Sequence, residues 1–328
     1  MKNTLKFGIK SAFTCAIIIT VISLILGGCG NGEKAPWSYE RLASFGRTPV
    51  YSPDRTMIIF GGNEADDLGI WLRSGGSTTR LTTFSHNWDY VWSPDGTKIA
   101  FTNSSGGNNG GMWLVDTQGN LEHLSDTGRY PSWKTIPGMG DTTIFFQSGF
   151  GTGISRIFTE SGEIAEIMGI GEYPRVSPNG EYIAFLVRSD ISSTTDSLFL
   201  WNISSGDLES LAACGMNYDW SPDGNTITYE RYEYVSNGSM LNVKVVNVNT
   251  GYIATLWTGA KNPKFCPNGN RIVFEGIAGD AGDGIFMVSP SGGSVEEVTS
   301  AGYGPECYLN IDRVIYWNTS GIWIANRN

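Results

Sequence analysis

The chain has 328 residues, 16% of them charged and 12% aromatic, with 43 glycines and a formal net charge of −10. Soluble domains average roughly 25% charge and about 7% glycine, so this composition points to short aromatic strands between glycine turns and excludes a helical bundle. The acidic balance argues against nucleic acid as a ligand and gives no electrostatic help toward an anionic membrane surface.

Lys2, Lys6 and Lys10 open the chain as a positive segment, and no charge follows from Ser11 through Cys29. The apolar run from Ala12 to Leu26 is about 15 residues, short of the ~20 that a spanning helix needs, so residues 1–28 read as a signal peptide. The run ends in Leu26-Gly27-Gly28-Cys29, which resembles a bacterial lipobox. The resemblance implies cleavage before Cys29, a lipid on its thiol, a lipidated linker over 29–37 and a membrane partner reached through that lipid. Cleavage would remove three lysines and no acid, taking the net charge to −13. Gly30 follows the cysteine where an Asp would signal inner-membrane retention. In a two-membrane bacterium the resemblance therefore implies the outer membrane, on its periplasmic or surface side.

From residue 38 to 328 the sequence is periodic. Tyr51-Ser-Pro-Asp-Arg55, Trp92-Ser-Pro-Asp-Gly96, Val176-Ser-Pro-Asn-Gly180, Trp220-Ser-Pro-Asp-Gly224 and Phe265-Cys-Pro-Asn-Gly269 each carry an aromatic nine residues after the leading one: Phe60, Phe101, Phe185, Tyr229 and Phe274. Trp133 to Phe146 is a sixth copy with a four-residue insertion, and Cys307 to Tyr316 a seventh without the turn motif. The Pro, the Asp and the final Gly suit a type I turn with a left-handed bulge residue, joining strand A to strand B. Arg55 at the glycine position predicts a left-handed arginine, at about 1 kcal/mol.

A short apolar strand C follows each B, as in Ile70-Trp-Leu72 and Met112-Trp-Leu114, and then a turn and strand D, as in Leu121–Leu124. Only six D strands follow a C strand, and Tyr39-Glu-Arg-Leu42 has the pattern of the seventh. Seven four-stranded antiparallel units of 40–45 residues predict an all-β, seven-bladed β-propeller, closed by an N-terminal strand D in the last blade. The Ser-Pro-Asp-Gly repeats, clearest in Trp92–Phe101 and Trp220–Tyr229, resemble those of TolB-type propellers. That likeness implies the fold and is nearly silent on function.

Strand geometry places the D–A and B–C loops on one face and the tight A–B and C–D turns on the other. His86, Asp89, Tyr90, Tyr130, Tyr173, Tyr218, Asp219 and Tyr303 stand in or beside the entry to strand A, and form the candidate ligand face at one mouth of the central channel. The tyrosines could equally be packing between blades. Carboxylates gather in the B–C loops at Glu64, Asp66, Asp67, Asp190, Asp196, Glu230, Glu233, Asp280 and Asp283 without the spacing of a calcium loop, so solvated loops are favoured over a divalent-cation site. Two histidines, His86 and His123, do not make a metal centre, and no Gly-x-Ser-x-Gly elbow occurs. No catalytic residue, metal ligand or cofactor is assigned. Cys214, Cys266 and Cys307 leave at least one thiol unpaired; Cys266 and Cys307, on successive blades, are expected to lie too far apart to bridge.

Two functional readings remain: a lipid-anchored envelope module that binds a protein, peptide or glycan without catalysis, or a divalent-cation-dependent propeller enzyme of the lyase or lactonase type acting on a carbohydrate or small ester.

Overall fold

The computed structural model describes residues 37–62, 67–84, 89–104, 110–138, 143–148, 153–188, 196–235, 238–277, 283–309 and 311–328. The expected signal peptide, Cys29 and the linker up to residue 36 lie outside them, as do His86 and the tips of most B–C loops. Among the described residues no helix is long and apolar enough to cross a membrane.

Seven four-stranded antiparallel sheets form the ring. Blade 1 runs Arg47–Tyr51, Met57–Gly61, Ile70–Ser74 and Ser77–Arg80 as strands A to D. The A strands of blades 2 to 7 are Tyr90–Trp92, Arg129–Trp133, Glu172–Val176, Tyr218–Trp220, Ala260–Phe265 and Tyr303–Cys307. A strands of neighbouring blades touch one another, whereas D strands expose residues such as Leu121, Ile164, Leu208 and Ile253, so A lines the centre and D the rim. Apolar clusters lie between sheets: Ile59, Ile70 and Leu72 of blade 1 pack with Trp92, Ile99 and Phe101 of blade 2.

The serine turn is held by its own side chains. Ser93 Oγ accepts from Lys98 N at 2.9 Å and donates to Asp95 Oδ1 at 2.6 Å, while that oxygen also accepts from Thr97 N at 3.0 Å. Ser52–Asp54 and Ser221–Asp223 repeat the pattern. Hydrogen bonds, first from Ser52, hold the Asp54 carboxyl below the usual range. These aspartates are structural. Arg55 is left-handed at φ 63°, as predicted, and Ile311 takes the equivalent position in blade 7 at 59°.

Trp37–Ala43 pairs with the last strand, Gly321–Arg327, and completes blade 7. The pairing is the predicted one, extended by one residue at its C-terminal end and two at its N-terminal end. Trp37 lies opposite Arg327, whose N–H donates to Asp312 O in the A–B turn at 2.7 Å. The chain therefore enters the ring on the tight-turn face.

Two expectations are corrected. Glu230 and Glu233, expected in a B–C loop, belong to a long hairpin of Thr226–Val235 and Gly238–Asn247, in register down to Val235 opposite Gly238. Its Glu-Arg-Tyr-Glu-Tyr alternation suits a strand with one polar face. Cys266 and Cys307 form a disulfide with Cα atoms 5.0 Å apart. Inner strands of successive blades converge on the axis, so the serine position of one blade meets the leading residue of the next. Cys214 is the free cysteine, and it is buried.

Candidate binding site at the central channel

In blades 1, 3, 4, 6 and 7 the inner strand carries a proline two residues before the leading one: Pro49, Pro131, Pro174, Pro263 and Pro305. The residue before each proline is left-handed: Thr48, Tyr130, Tyr173, Asn262 and Gly304 have φ between 50° and 56°. Each A–B register gains one extra residue there, which is a β-bulge. A bulge on an inner edge is where a strand loses least by lacking an N–H, and it re-aims the neighbouring side chain. In blades 1, 3, 4 and 7 a glycine stands three residues before the proline. A Cβ at Gly46 or Gly171 would come within 2.4 or 2.6 Å of the ring of Phe60 or Phe185. The resulting Gly-x-x-Pro motif is the sequence signal of the channel mouth that the turn motif overshadows.

Blades 2 and 5 have tyrosine where the others have proline. Tyr90 donates to the Thr48 carbonyl and accepts from Gly61 N at 3.0 Å. Tyr218 donates to the Tyr173 carbonyl, with Ala184 O at 2.9 Å. Both hydroxyls thus tie a blade to the bulge of the one before it, and burial pushes both phenols well up. Replacing Tyr218 by Phe leaves two buried carbonyls without this donor. We expect a loss of about 1–3 kcal/mol, read as a lower denaturation midpoint at unchanged m-value, and no change for Tyr232→Phe at the exposed hairpin.

The other three tyrosines stand at the bulges. Tyr130 and Tyr173 pack against one another across blades 3 and 4, with centroids 4.2 Å apart and rings tilted by 40°, and Tyr303 packs on Trp317 at 4.8 Å. Asp89 occupies the matching place in blade 2, partly buried, and burial lifts its carboxyl to about 6 against the opposing pull of Arg129 and Arg175. The acid is thus favoured more in the folded than in the unfolded chain. Its contribution is full below about pH 4 and disappears as pH rises through about 6. Asp89→Asn should flatten stability over that window and raise it at pH 7 by roughly 1–2 kcal/mol, allowing for water at the mouth. Urea titrations at pH 4 and 7 check this.

Of the carboxylates grouped at the loops, Asp196, Glu230, Glu233 and Asp283 lie in strands. Glu230 accepts from Asn217 Nδ2 at 2.9 Å and Asn262 N at 3.0 Å, and Glu275 from Asn262 Nδ2 and Gly304 N, both at 2.7 Å. Both are buried and brace the bulges of the following blades. Glu233 pairs with Lys244 at 2.7 Å. His123 lies in strand D against the Trp113 ring at 4.7 Å. Among the described residues no three His, Cys, Asp or Glu side chains gather closely enough to hold a metal ion.

Deeper in, the residue just before each leading one reads Val50, Val91, Ser132, Arg175, Asp219, Lys264 and Glu306 around the ring. Ser132 Oγ accepts from Val176 N at 2.9 Å, Asp219 Oδ2 from Phe265 N at 2.9 Å, and Glu306 Oε2 from Tyr51 N at 3.4 Å. Each is a bond from one blade to the next. Asp219, expected at the mouth, therefore sits farther along the channel than Asp89. Arg55 pairs with Glu306 at 2.6 Å.

No protein-family model matches the chain, and no curated protein sequence matches it. Solved structures do. An oligogalacturonate lyase in complex with manganese superposes with a TM-score of 0.69 at 13% identity, covering 90% of this chain and 98% of that one. Hydrazine synthase of Kuenenia stuttgartiensis gives 0.68 at 14% identity over 93% and 99%. TolB of Acinetobacter baumannii gives 0.52 at 21% identity over 76% of this chain and 63% of that one. At these identities the likeness is one of fold: this chain is a seven-bladed β-propeller, and its structural neighbours include TolB and enzymes alike.

Proposed function

We propose that this chain is a lipid-anchored envelope propeller that binds a protein, peptide or glycan at the loop-face mouth of its channel, without chemistry of its own. The observation that carries the reading is the pair Tyr130 and Tyr173, whose rings meet at 4.2 Å near Asp89 and Arg129, with the Tyr173 bulge held by the Tyr218 hydroxyl of the next blade. Aromatic faces beside fixed charges suit peptide and sugar ligands. Tyr90 and Tyr218, also on that candidate face, tie the bulges of blades 1 and 4 to the blades that follow them. The lipid on Cys29 would hold the tight-turn face toward the membrane, since the chain enters the ring there and eight residues span at most about 28 Å. The mouth would then face outward.

A photo-crosslinker at position 130 in intact cells tests this. A discrete adduct at 130, absent when the crosslinker is moved to the exposed rim position 252, is the expected result; no adduct, or equal labelling at both, overturns it. Cys29→Ser should release the protein from membranes. The manganese-bound lyase of the same fold favours a second reading, an enzyme of the lyase or lactonase type that holds a divalent cation through carboxylates in the channel. Tight stoichiometric metal in the purified protein would select it.

A further inference from the structure

The tight-turn half of the channel carries charge of the wrong sign for this chain. Among the described residues, Arg55, Lys134, Arg175 and Lys264 meet two carboxylates there, Asp219 and Glu306, an excess of two positive charges inside a chain of net charge −10. These groups come from blades 1, 3, 4, 5, 6 and 7, and they perturb one another across the axis: Lys134 of blade 3 feels Arg55 of blade 1 and Glu306 of blade 7. Side chains of opposite blades can do so only by projecting into a common lumen. They also keep contact with water: the side chains of Arg175 and Lys264 are 40% and 36% exposed, and Lys134 is exposed.

The two carboxylates are already engaged. Glu306 holds Arg55 and the Tyr51 N–H. Asp219 gives one oxygen to Phe265 N and the other, at 4.0 and 3.9 Å, to Arg175 and Lys264. Lys134 has no hydrogen bond or ion pair among the described residues. It also stands where four other blades have the turn serine, Ser52, Ser93, Ser177 and Ser221, so a turn-closing hydroxyl has been exchanged for a lumen cation. Desolvation inside the enclosed lumen and mutual repulsion lower the affinity of Lys134 and Lys264 for their protons, which a bound anion would reverse. Charges of one sign in a low-dielectric cleft concentrate the opposite ion.

We propose that the tight-turn half of the channel is an oxyanion site, in which Lys134, Lys264 and Arg175 receive one carboxylate or phosphate group of a ligand. The site goes beyond the mouth described above and stands without it, because the test below needs no partner.

The detergent-solubilised full chain is titrated calorimetrically with inorganic phosphate and with malonate at low and physiological salt. Saturable binding that weakens with salt is expected. Lys134→Gln should weaken it at least ten-fold while leaving the anion-free thermal midpoint unchanged or raised, Lys264→Gln should weaken it similarly, and Lys98→Gln on the outer surface should not. Tighter phosphate binding assigns a phosphoryl group, tighter malonate binding a carboxylate. If neither anion saturates, or Lys134→Gln and Lys264→Gln bind like the parent, the site does not exist. Anion binding that persists without crosslinking at position 130 would sink the partner reading alone.

Discussion

Trp37→Ala should destabilise the ring by about 3–5 kcal/mol and lower its thermal midpoint by roughly 5–10 °C. The indole is 4% exposed and packs with Val298, Val314 and Ala325 across blades 6 and 7. Its Nε1 donates to Glu296 Oε1 at 3.0 Å, Arg327 lies over its ring at 4.9 Å, and Arg327 returns to Glu296 at 2.8 Å. One side chain therefore joins the first strand, the last strand and blade 6. Trp37→Phe keeps the ring and loses the hydrogen bond, so its cost should be nearer 1 kcal/mol. Removal of residues 37–43 would leave Gly321–Arg327 as an unpaired edge, and concentration-dependent association should follow. Thermal unfolding of the two point variants and light scattering of the truncation measure these effects. A truncated chain that stays monomeric with an unchanged midpoint would show that the seam is closed by something else.

The Cys266–Cys307 disulfide should contribute on a similar scale. It spans 41 residues, for which loop closure alone gives about 4 kcal/mol. Cys266→Ser restores the turn serine of the other blades, so combining it with Cys307→Val removes the crosslink with little disturbance to the turn. The double variant should melt roughly 6–10 °C below the oxidised parent, and reductant should bring the parent down to the variant without moving the variant. Equal midpoints with and without reductant would show that the bridge adds nothing. Cys214 should not interfere. Its thiol donates to Gly215 O at 2.9 Å, and burial pushes it up, away from the reactive thiolate.

The repeat made the architecture legible. Seven leading residues, their turn motif and an aromatic nine residues on were enough to number the blades and to assign Tyr39–Leu42 to the last one, because each blade uses the same local chemistry. The site was less legible because it is made of departures from that chemistry, and a departure has meaning only once the blades are arranged in a circle. Arg175, Asp219, Lys264 and Glu306 are ordinary charged residues in sequence; only convergence of the inner strands makes them neighbours. The same convergence brings Cys266 to Cys307, which 41 intervening residues conceal. Five tyrosines near strand A looked alike, yet a proline-for-tyrosine exchange separates Tyr90 and Tyr218, whose hydroxyls turn inward, from Tyr130, Tyr173 and Tyr303 at the bulges.

The prolines on the inner strands carry a consequence for recognition. A peptide that threads the pore cannot be gripped by β-augmentation along its wall: five of the seven strands there present a proline, and several leading N–H groups are taken by the adjoining blade. With the main chain so withdrawn, selectivity falls to aromatic and ionic side chains, which single substitutions can rewrite without disturbing the scaffold.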